Sequence, residues 1–293
     1  MVAVIAVFGP TASGKTAVAE AVADALGTEV VSCDAMQVYR GLPILTNQPS
    51  RPTRLVGIRE LGEEMSVGAY ATLAHADIDE LVAATGTAVV SGGTGLYLRA
   101  ALADLDVPPP PGEGVRERIT DEVDRDPVAA HERLAGLDPR AAGAVHANDR
   151  RRLVRALELA EAGASLVPAD DRLWAGTTRH PTVIVGLDVP SDELERRIVA
   201  RTRAMFDLGV TREVEQALAT GVSRTAAKTL GLDEIATLPA DDAKERIVIR
   251  TRRYAAYQRK WMRRIPGLVT VDGTRPPAVV AADVLAAAGS PDT

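Results

Sequence analysis

Cysteine is almost missing from this 293-residue chain, and the single Cys33 excludes an internal disulfide framework. Histidine is scarce too: the four residues lie far apart, and none falls at metal-ligand spacing. Aromatic residues make up 3% of the chain, and only four of its 34 basic residues are lysine. No apolar run approaches the roughly 20 residues that a membrane-spanning helix needs. The opening stretch MVAVIAVFGP has neither a basic leader nor a cleavage site, so no membrane association and a cytoplasmic location are expected. What remains is ordinary globular composition, 46% hydrophobic and 25% charged, with length for one large or two modest domains.

The net charge of −6 counts against a nucleic-acid partner. Its distribution does not, since residues 1–150 carry −9 and residues 151–293 carry +3. Residues 2–8 (VAVIAVF) read as a strand buried on both faces, and Lys15 to Leu26 as a helix closed by Gly27. A second strand at 30–33, a helix from Val67 to Ala84 and a strand from Thr87 to Val90 follow, which predicts α/β architecture with parallel pairing. The run Val107 to Gly112 with its four prolines is the clearest break. Beyond it, charged segments with Leu/Ala periodicity read as a helical insertion. A strand at 182–188, a long basic helix at 243–264 and a short strand at 268–271 complete the pattern. The expected division is therefore a core of residues 1–112 and 163–293 interrupted by an insertion at 113–162.

Residues 9–16, GPTASGKT, satisfy G-x-x-x-x-G-K-[ST] with a strand entering and a helix leaving. In such a loop Gly9, Thr11, Ala12, Ser13 and Gly14 present backbone N–H groups to phosphate oxygens. Lys15 adds a point charge, and the Thr16 hydroxyl can ligate Mg²⁺. The motif predicts binding of a phosphate or diphosphate ester without naming it. A nucleotide hydrolase usually places a second acid at the end of another core strand. Here the strand at 87–90 runs into Ser91-Gly92-Gly93-Thr94, and the early strand-end carboxylate is Asp34. Asp34 reads either as a turn or helix-capping residue or as a base or metal ligand beside the phosphate cradle.

Five separated segments then occur in one order: GPTASGKT, SCDAMQVYRGLPI at 32–44, SGGTGLYLRA at 91–100, HANDRRRLVRALE at 146–158 and RYAAYQRKWMRR at 253–264. Together they resemble the tRNA isopentenyltransferase (tRNA dimethylallyltransferase) family over residues 1 to about 272. The resemblance implies a P-loop NTPase-like core in which the loop holds the diphosphate of dimethylallyl diphosphate. The five-carbon group goes to the exocyclic amine of an adenosine beside the anticodon of tRNA. An adenine amine becomes acidic only as its bond to carbon forms, so an ordinary ionised carboxylate suffices as base. The resemblance gives that role to Asp34, and contacts with diphosphate or metal to Ser13, Lys15 and Thr16. Thr94 matches a position near the reacting nucleotide, and its alternative reading is a helix N-cap. Arg201 matches an arginine on the donor diphosphate, and its alternative is a solvated helix face beside Arg196, Arg197 and Arg203.

For the anticodon stem-loop, the resemblance points to Asp34, Ala35, Met36 and Gln37, to Thr94, and to Arg151, Arg152 and Arg155 in the insertion. Gln37 is a candidate reader of a purine edge. The helix at 243–264 adds Arg252, Gln258, Arg259 and Arg263, in a stretch of nine basic residues and one acid with Tyr254, Tyr257 and Trp261 interleaved. Such density suits a phosphate backbone, although a solvated face is the usual meaning of a charge run. Ala35, Gln48, Leu232 and Tyr257 depart from the family pattern. The implied partners are tRNA, dimethylallyl diphosphate and Mg²⁺, acting on a monomer. Competing readings are prenyl transfer to a free adenine nucleotide, a P-loop small-molecule kinase and a non-catalytic RNA-binding module.

Overall fold

A computed structural model describes residues 2–104, 111–112, 114–167 and 177–289, so the proline-rich break at 107–112 lies largely outside the described residues. The chain forms two compact units, Met1–Leu105 with Gly176–Thr293, and Asp106–Ala175. The second is wider than the 113–162 insertion read from the sequence.

Among the described residues the first unit is built on five strands: β1 (Val4–Phe8), β2 (Val30–Ser32), β3 (Ala88–Gly92), β4 (Thr182–Asp188) and β5 (Val269–Asp272). They form one sheet in the order β2-β3-β1-β4-β5, and every pairing is parallel. Parallel strands need crossovers, and helices on both faces bury the central strands, which explains the uninterrupted apolar runs of β1 and β3. The crossovers include α1 (Lys15–Leu26), α2 (Val67–Thr85) and α3 (Gly95–Leu102). Ser66 caps α2 by accepting the Ala69 N–H at 3.1 Å.

The second unit packs α4 (Val115–Arg125), α5 (Pro127–Leu137), α6 (Pro139–Ala144) and α7 (Arg150–Glu161) around Ile119, Leu134, Leu153 and Leu157. Asp126 and Asp138 cap α5 and α6, each followed by a proline at the first helical position, where the missing N–H costs nothing.

After β4 the first unit continues with α8 (Ser191–Asp207), α9 (Val210–Thr220), α10 (Leu232–Thr237), α11 (Ala240–Met262) and α12 (Pro277–Gly289). Helix α11 starts three residues earlier than its charge pattern predicts, because Asp241 and Asp242 belong to its first turn. Helix α12 is poor in charge and is not singled out by sequence reading. It lays Val280, Ala281 and Val284 against Val18, Val22 and the β1, β3 and β4 side chains of the core.

The order of the strands positions the site. The chain leaves β1 toward β2 on one side, but leaves β3 toward β4 on the other. The carboxyl ends of the adjacent strands β1 and β3 therefore flank a crevice at the switch in winding direction, where open parallel sheets bind ligands. The loop GPTASGKT follows β1, and Gly93-Thr94 follows β3.

Candidate active site

The phosphate loop bends tightly between β1 and α1. Gly14 has φ +89° at the N-cap of α1, and Ala12 has φ +65°, a conformation that costs an L-residue about 1–2 kcal/mol. Such strain is retained where the surrounding structure enforces it. Arg197 of α8 is one enforcing group. Its Nη1 donates to the carbonyls of Ala12 (3.4 Å) and Ser13 (3.3 Å), and its Nε is held by Glu193 at 2.5 Å. Among the described residues no side chain caps the N-terminus of α1. The Ser13 hydroxyl is buried without a hydrogen-bond partner among them, and so is Nε of Arg201. Uncommitted donors at a helix N-terminus are the raw material of an anion site.

Lys15, Thr16, Ser32, Asp34, Gln37 and Ser91 line the adjoining cleft. Burial pulls the Lys15 ammonium below its usual pKa, Asp34 opposes that shift and Arg201 adds to it. Arg201 is also lowered, chiefly by burial, with Asp34 opposing. Two cations and one carboxylate thus share a poorly solvated crevice. Arg201 reaches Oγ1 of Thr11 at 2.9 Å, so it points to the phosphate loop and does not lie on a solvated helix face. Asp34 accepts the Met36 N–H at 2.9 Å through Oδ1. This Asx turn fits the turn reading and orients the carboxylate at the mouth of the cleft as well. Cys33 beside it is buried, and burial pushes its thiol far above the ordinary range, so it stays neutral.

Thr94 is the N-cap residue of α3, yet its side chain makes no capping bond. Its hydroxyl lies 3.2 Å from the hydroxyl of Tyr254, whose pKa is pushed up to about 12, mainly by burial. Gln37 is committed locally: its amide accepts from Ser32 Oγ at 3.1 Å and donates to the carbonyl of Asn47 at 2.9 Å. A purine edge would have to displace those bonds.

Two corrections concern α11. Gln258 is 2% exposed and does not face outward to an RNA. Oε1 accepts the Thr11 N–H at 2.7 Å and Nε2 donates to the Gly93 carbonyl at 2.9 Å. The basic run is also partly paired. Lys244 meets Asp241 at 3.0 Å, Arg250 pairs with Glu234, Arg252 meets Glu195 at 3.0 Å and Arg259 meets Asp188 at 3.3 Å. Arg252 lines a separate open groove between α8 and α11, away from the phosphate loop. Arg246, Arg253 and Lys260 form no ion pair among the described residues, and neither do Arg263 and Arg264 beyond the helix. Residues 246, 253 and 260 are seven apart and share one stripe of α11 with Tyr257, which is 53% exposed. In the second unit, Arg151 and Arg152 are exposed and form no ion pair among the described residues, whereas Arg155 holds the buried Glu158 at 3.1 Å.

A parallel sheet in this order, with GPTASGKT after its central strand, defines an α/β protein of the P-loop NTPase-like class. Its phosphate loop brings Lys15, Arg201 and Asp34 within electrostatic reach of one another. The IPP transferase family model matches residues 37–265, and the isopentenyl transferase model matches residues 2–59. The tRNA dimethylallyltransferase of Thermobifida fusca is 39% identical over 285 residues, covering 91% of this chain and 88% of that protein. That of Streptomyces griseus is 38% identical over 284 residues, covering 92% and 90%. A crystal structure of a tRNA isopentenylpyrophosphate transferase from Bacillus halodurans superposes with a TM-score of 0.69 at 27% identity, over 98% of this chain and 97% of that one. A eukaryotic dimethylallyltransferase acting on tRNA has the same fold, with a TM-score of 0.78 at 24% identity over 94% of this chain and 74% of that one. The chain belongs to the IPP transferase family and is a prenyltransferase.

Proposed function

We propose that this chain transfers the dimethylallyl group of dimethylallyl diphosphate to the exocyclic amine of the adenosine adjacent to the anticodon in tRNA, releasing diphosphate. The observation that carries this reading is that Asp34 shares a cleft with Lys15 at the phosphate loop, with Arg201, bonded to Thr11 of that loop, within electrostatic reach of both. The relatives named above support the acceptor and the donor class.

The N–H groups at the start of α1, the orphaned Ser13 hydroxyl, Lys15 and Arg201 hold the diphosphate of the donor. As the bond from the allylic carbon to oxygen breaks, negative charge builds up on the leaving diphosphate. Preorganised cations in a poorly solvated crevice stabilise it more than water would. The adenine nitrogen forms the new bond to carbon and loses its proton to the Asp34 carboxylate. Thr94, braced by Tyr254, orients the acceptor at the rim.

Among the described residues no cluster of three or more His, Cys, Asp or Glu side chains forms a metal cage. The unpartnered Ser13 hydroxyl and the Thr16 hydroxyl at the α1 N-terminus are hard oxygen donors, which fits Mg²⁺ held by Thr16 together with substrate phosphate oxygens. When bound, Mg²⁺ supplies charge neutralisation at the diphosphate.

A macromolecular acceptor is favoured over a free nucleotide by the unpaired cation stripe of α11 with exposed Tyr257, which suits a phosphate backbone and an unstacked base. Arg253, Lys260, Arg263 and Arg264 are better placed for that contact than Arg252 and Arg259. No helix among the described residues is long and apolar enough to cross a membrane.

The test is incubation with Mg²⁺, labelled dimethylallyl diphosphate and unmodified tRNA. Label is expected in the tRNA. In Asp34→Asn, kcat is expected to fall by about 10²–10⁴ while inorganic diphosphate still binds. Phosphate transfer from ATP with no label in any of several tRNAs refutes the assignment in favour of a kinase.

A further inference from the structure

Three neighbouring residues after β3 are each met by one side chain of α11. Gln258 bonds the carbonyl of Gly93, Tyr254 meets the hydroxyl of Thr94, and the Trp261 ring covers Gly95. Positions 254, 258 and 261 fall on one helical face. The absence of side chains at the two glycines is a condition of this fit. A Cβ at Gly93 would stand 2.2 Å from Nε2 of Gln258, and one at Gly95 would stand 2.4 Å from the Trp261 ring.

Gln258 alone of the three spans the crevice. One end of its amide accepts from Thr11 on the loop after β1, and the other donates to Gly93 on the loop after β3. The same Thr11 takes Arg201 on its hydroxyl, so its N–H and its side chain are tied to different helices. The Thr11 N–H is thereby withdrawn from phosphate binding and used as an anchor. A buried amide with both ends satisfied fixes its partners closely, because releasing either leaves a desolvated group unpaired.

We infer that Gln258 is a positioning residue of the transfer reaction: its amide holds the phosphate loop at a set distance from Gly93 and Thr94. The donor cradle and the acceptor rim are thereby kept in register. The inference rests on the functional reading above, with the β1 loop on the donor and Thr94 on the acceptor.

The test uses the full chain with Gln258→Leu and Gln258→Glu. Diphosphate binding is measured calorimetrically with Mg²⁺, anticodon stem-loop binding separately, and kcat with both substrates saturating. For Gln258→Leu we expect kcat to fall about 30–100-fold, the scale of a misplacement near 1 Å. Diphosphate affinity should fall about tenfold, with stem-loop affinity within about twofold of the unsubstituted chain. Gln258→Glu adds a readout that loss of packing would not move. Ionised, its second oxygen opposes the Gly93 carbonyl. Protonated, it reproduces both bonds of the amide, so its diphosphate affinity relative to the unsubstituted chain should recover as the pH is lowered from 8 to 6. Should Gln258→Leu fail to fold, Gln258→Glu carries the test. Weakened stem-loop binding with unchanged diphosphate binding overturns the inference, as does a Gln258→Glu defect independent of pH. If the unsubstituted chain itself binds no diphosphate, the functional reading falls and this inference with it.

Discussion

Replacing Gly95 with alanine tests how α11 is seated on the loop after β3. An alanine Cβ would meet Cε3, Cδ2 and Cγ of Trp261 at 2.4, 2.6 and 3.0 Å. Carbon atoms settle at about 3.5–4.0 Å, so the ring must retreat by about 1 Å. Because Cγ is the root of the indole, rotation of the ring alone does not relieve the clash, and the backbone of α11 must move. Overpacking of this kind costs about 1–3 kcal/mol, and replacing glycine in the first turn of α3 returns up to about 1 kcal/mol of helix propensity. The expected net loss is about 1–2 kcal/mol, or about 2–3 °C in Tm for a chain of this size. Far-ultraviolet circular dichroism during urea and thermal unfolding provides the assay, because it reads the backgrounds with and without Trp261 alike. The same substitution in a Trp261→Leu background should cost nothing, which gives a coupling energy of at least about 1 kcal/mol. A Gly95→Ala variant as stable as its parent refutes the reasoning, and so does an equal loss in both backgrounds.

Other consequences follow from the ion pairs. Arg253→Ala with Lys260→Ala should reduce the slope of log K for tRNA binding against log salt by about 1.4–1.8, at 0.7–0.9 per phosphate contact. Arg252→Ala with Arg259→Ala should leave it unchanged; filter binding over a salt series distinguishes the two. Arg197→Leu should weaken inorganic diphosphate binding about five- to tenfold in calorimetry, because the carbonyls of Ala12 and Ser13 lose their anchor. In the second unit, burial alone would raise the Glu158 pKa, but bonds from Arg116 and Arg155 outweigh it and hold the carboxyl below its usual value. The stability it contributes is therefore complete above the ordinary carboxyl range near 4.3 and is lost as the pH falls through the depressed folded value. Glu158→Gln should cost about 2–3 kcal/mol at pH 7, seen as faster hydrogen exchange over residues 115–161. That difference should shrink below about pH 4.

Much of the molecule was legible because its signals are local. GPTASGKT carries its strand, its helix and its anion site within a dozen residues, and the apolar runs of β1 and β3 announce burial on both faces. Asp34 could be found because strand ends in parallel sheets are where ligands bind. The misreadings arose where a side chain's partner lies far along the chain. Nothing near Gln258 betrays that Thr11 and Gly93 await its amide. The density of charge in α11 suggested an unpaired face, because Asp188, Glu195 and Glu234 come from other elements. Arg201 is reached only through the family resemblance, and Arg197, one turn before it on α8, reads with the solvated face although it too reaches the phosphate loop.

The bond between Thr11 and Gln258 joins residues 247 positions apart. Synthesis runs from the amino end, so the phosphate loop is made 247 residues before its brace. Strand β1, central in the finished sheet, likewise waits for β4 on one flank. A nascent chain that already carries GPTASGKT, Asp34 and Thr94 still has an unbraced crevice and an open seat beside Gly95. Long-range closure of this kind comes late and slowly in folding. The capacity to transfer is thus gained only once residue 258 has been made, and a truncation that spares those motifs but ends before that residue forfeits it.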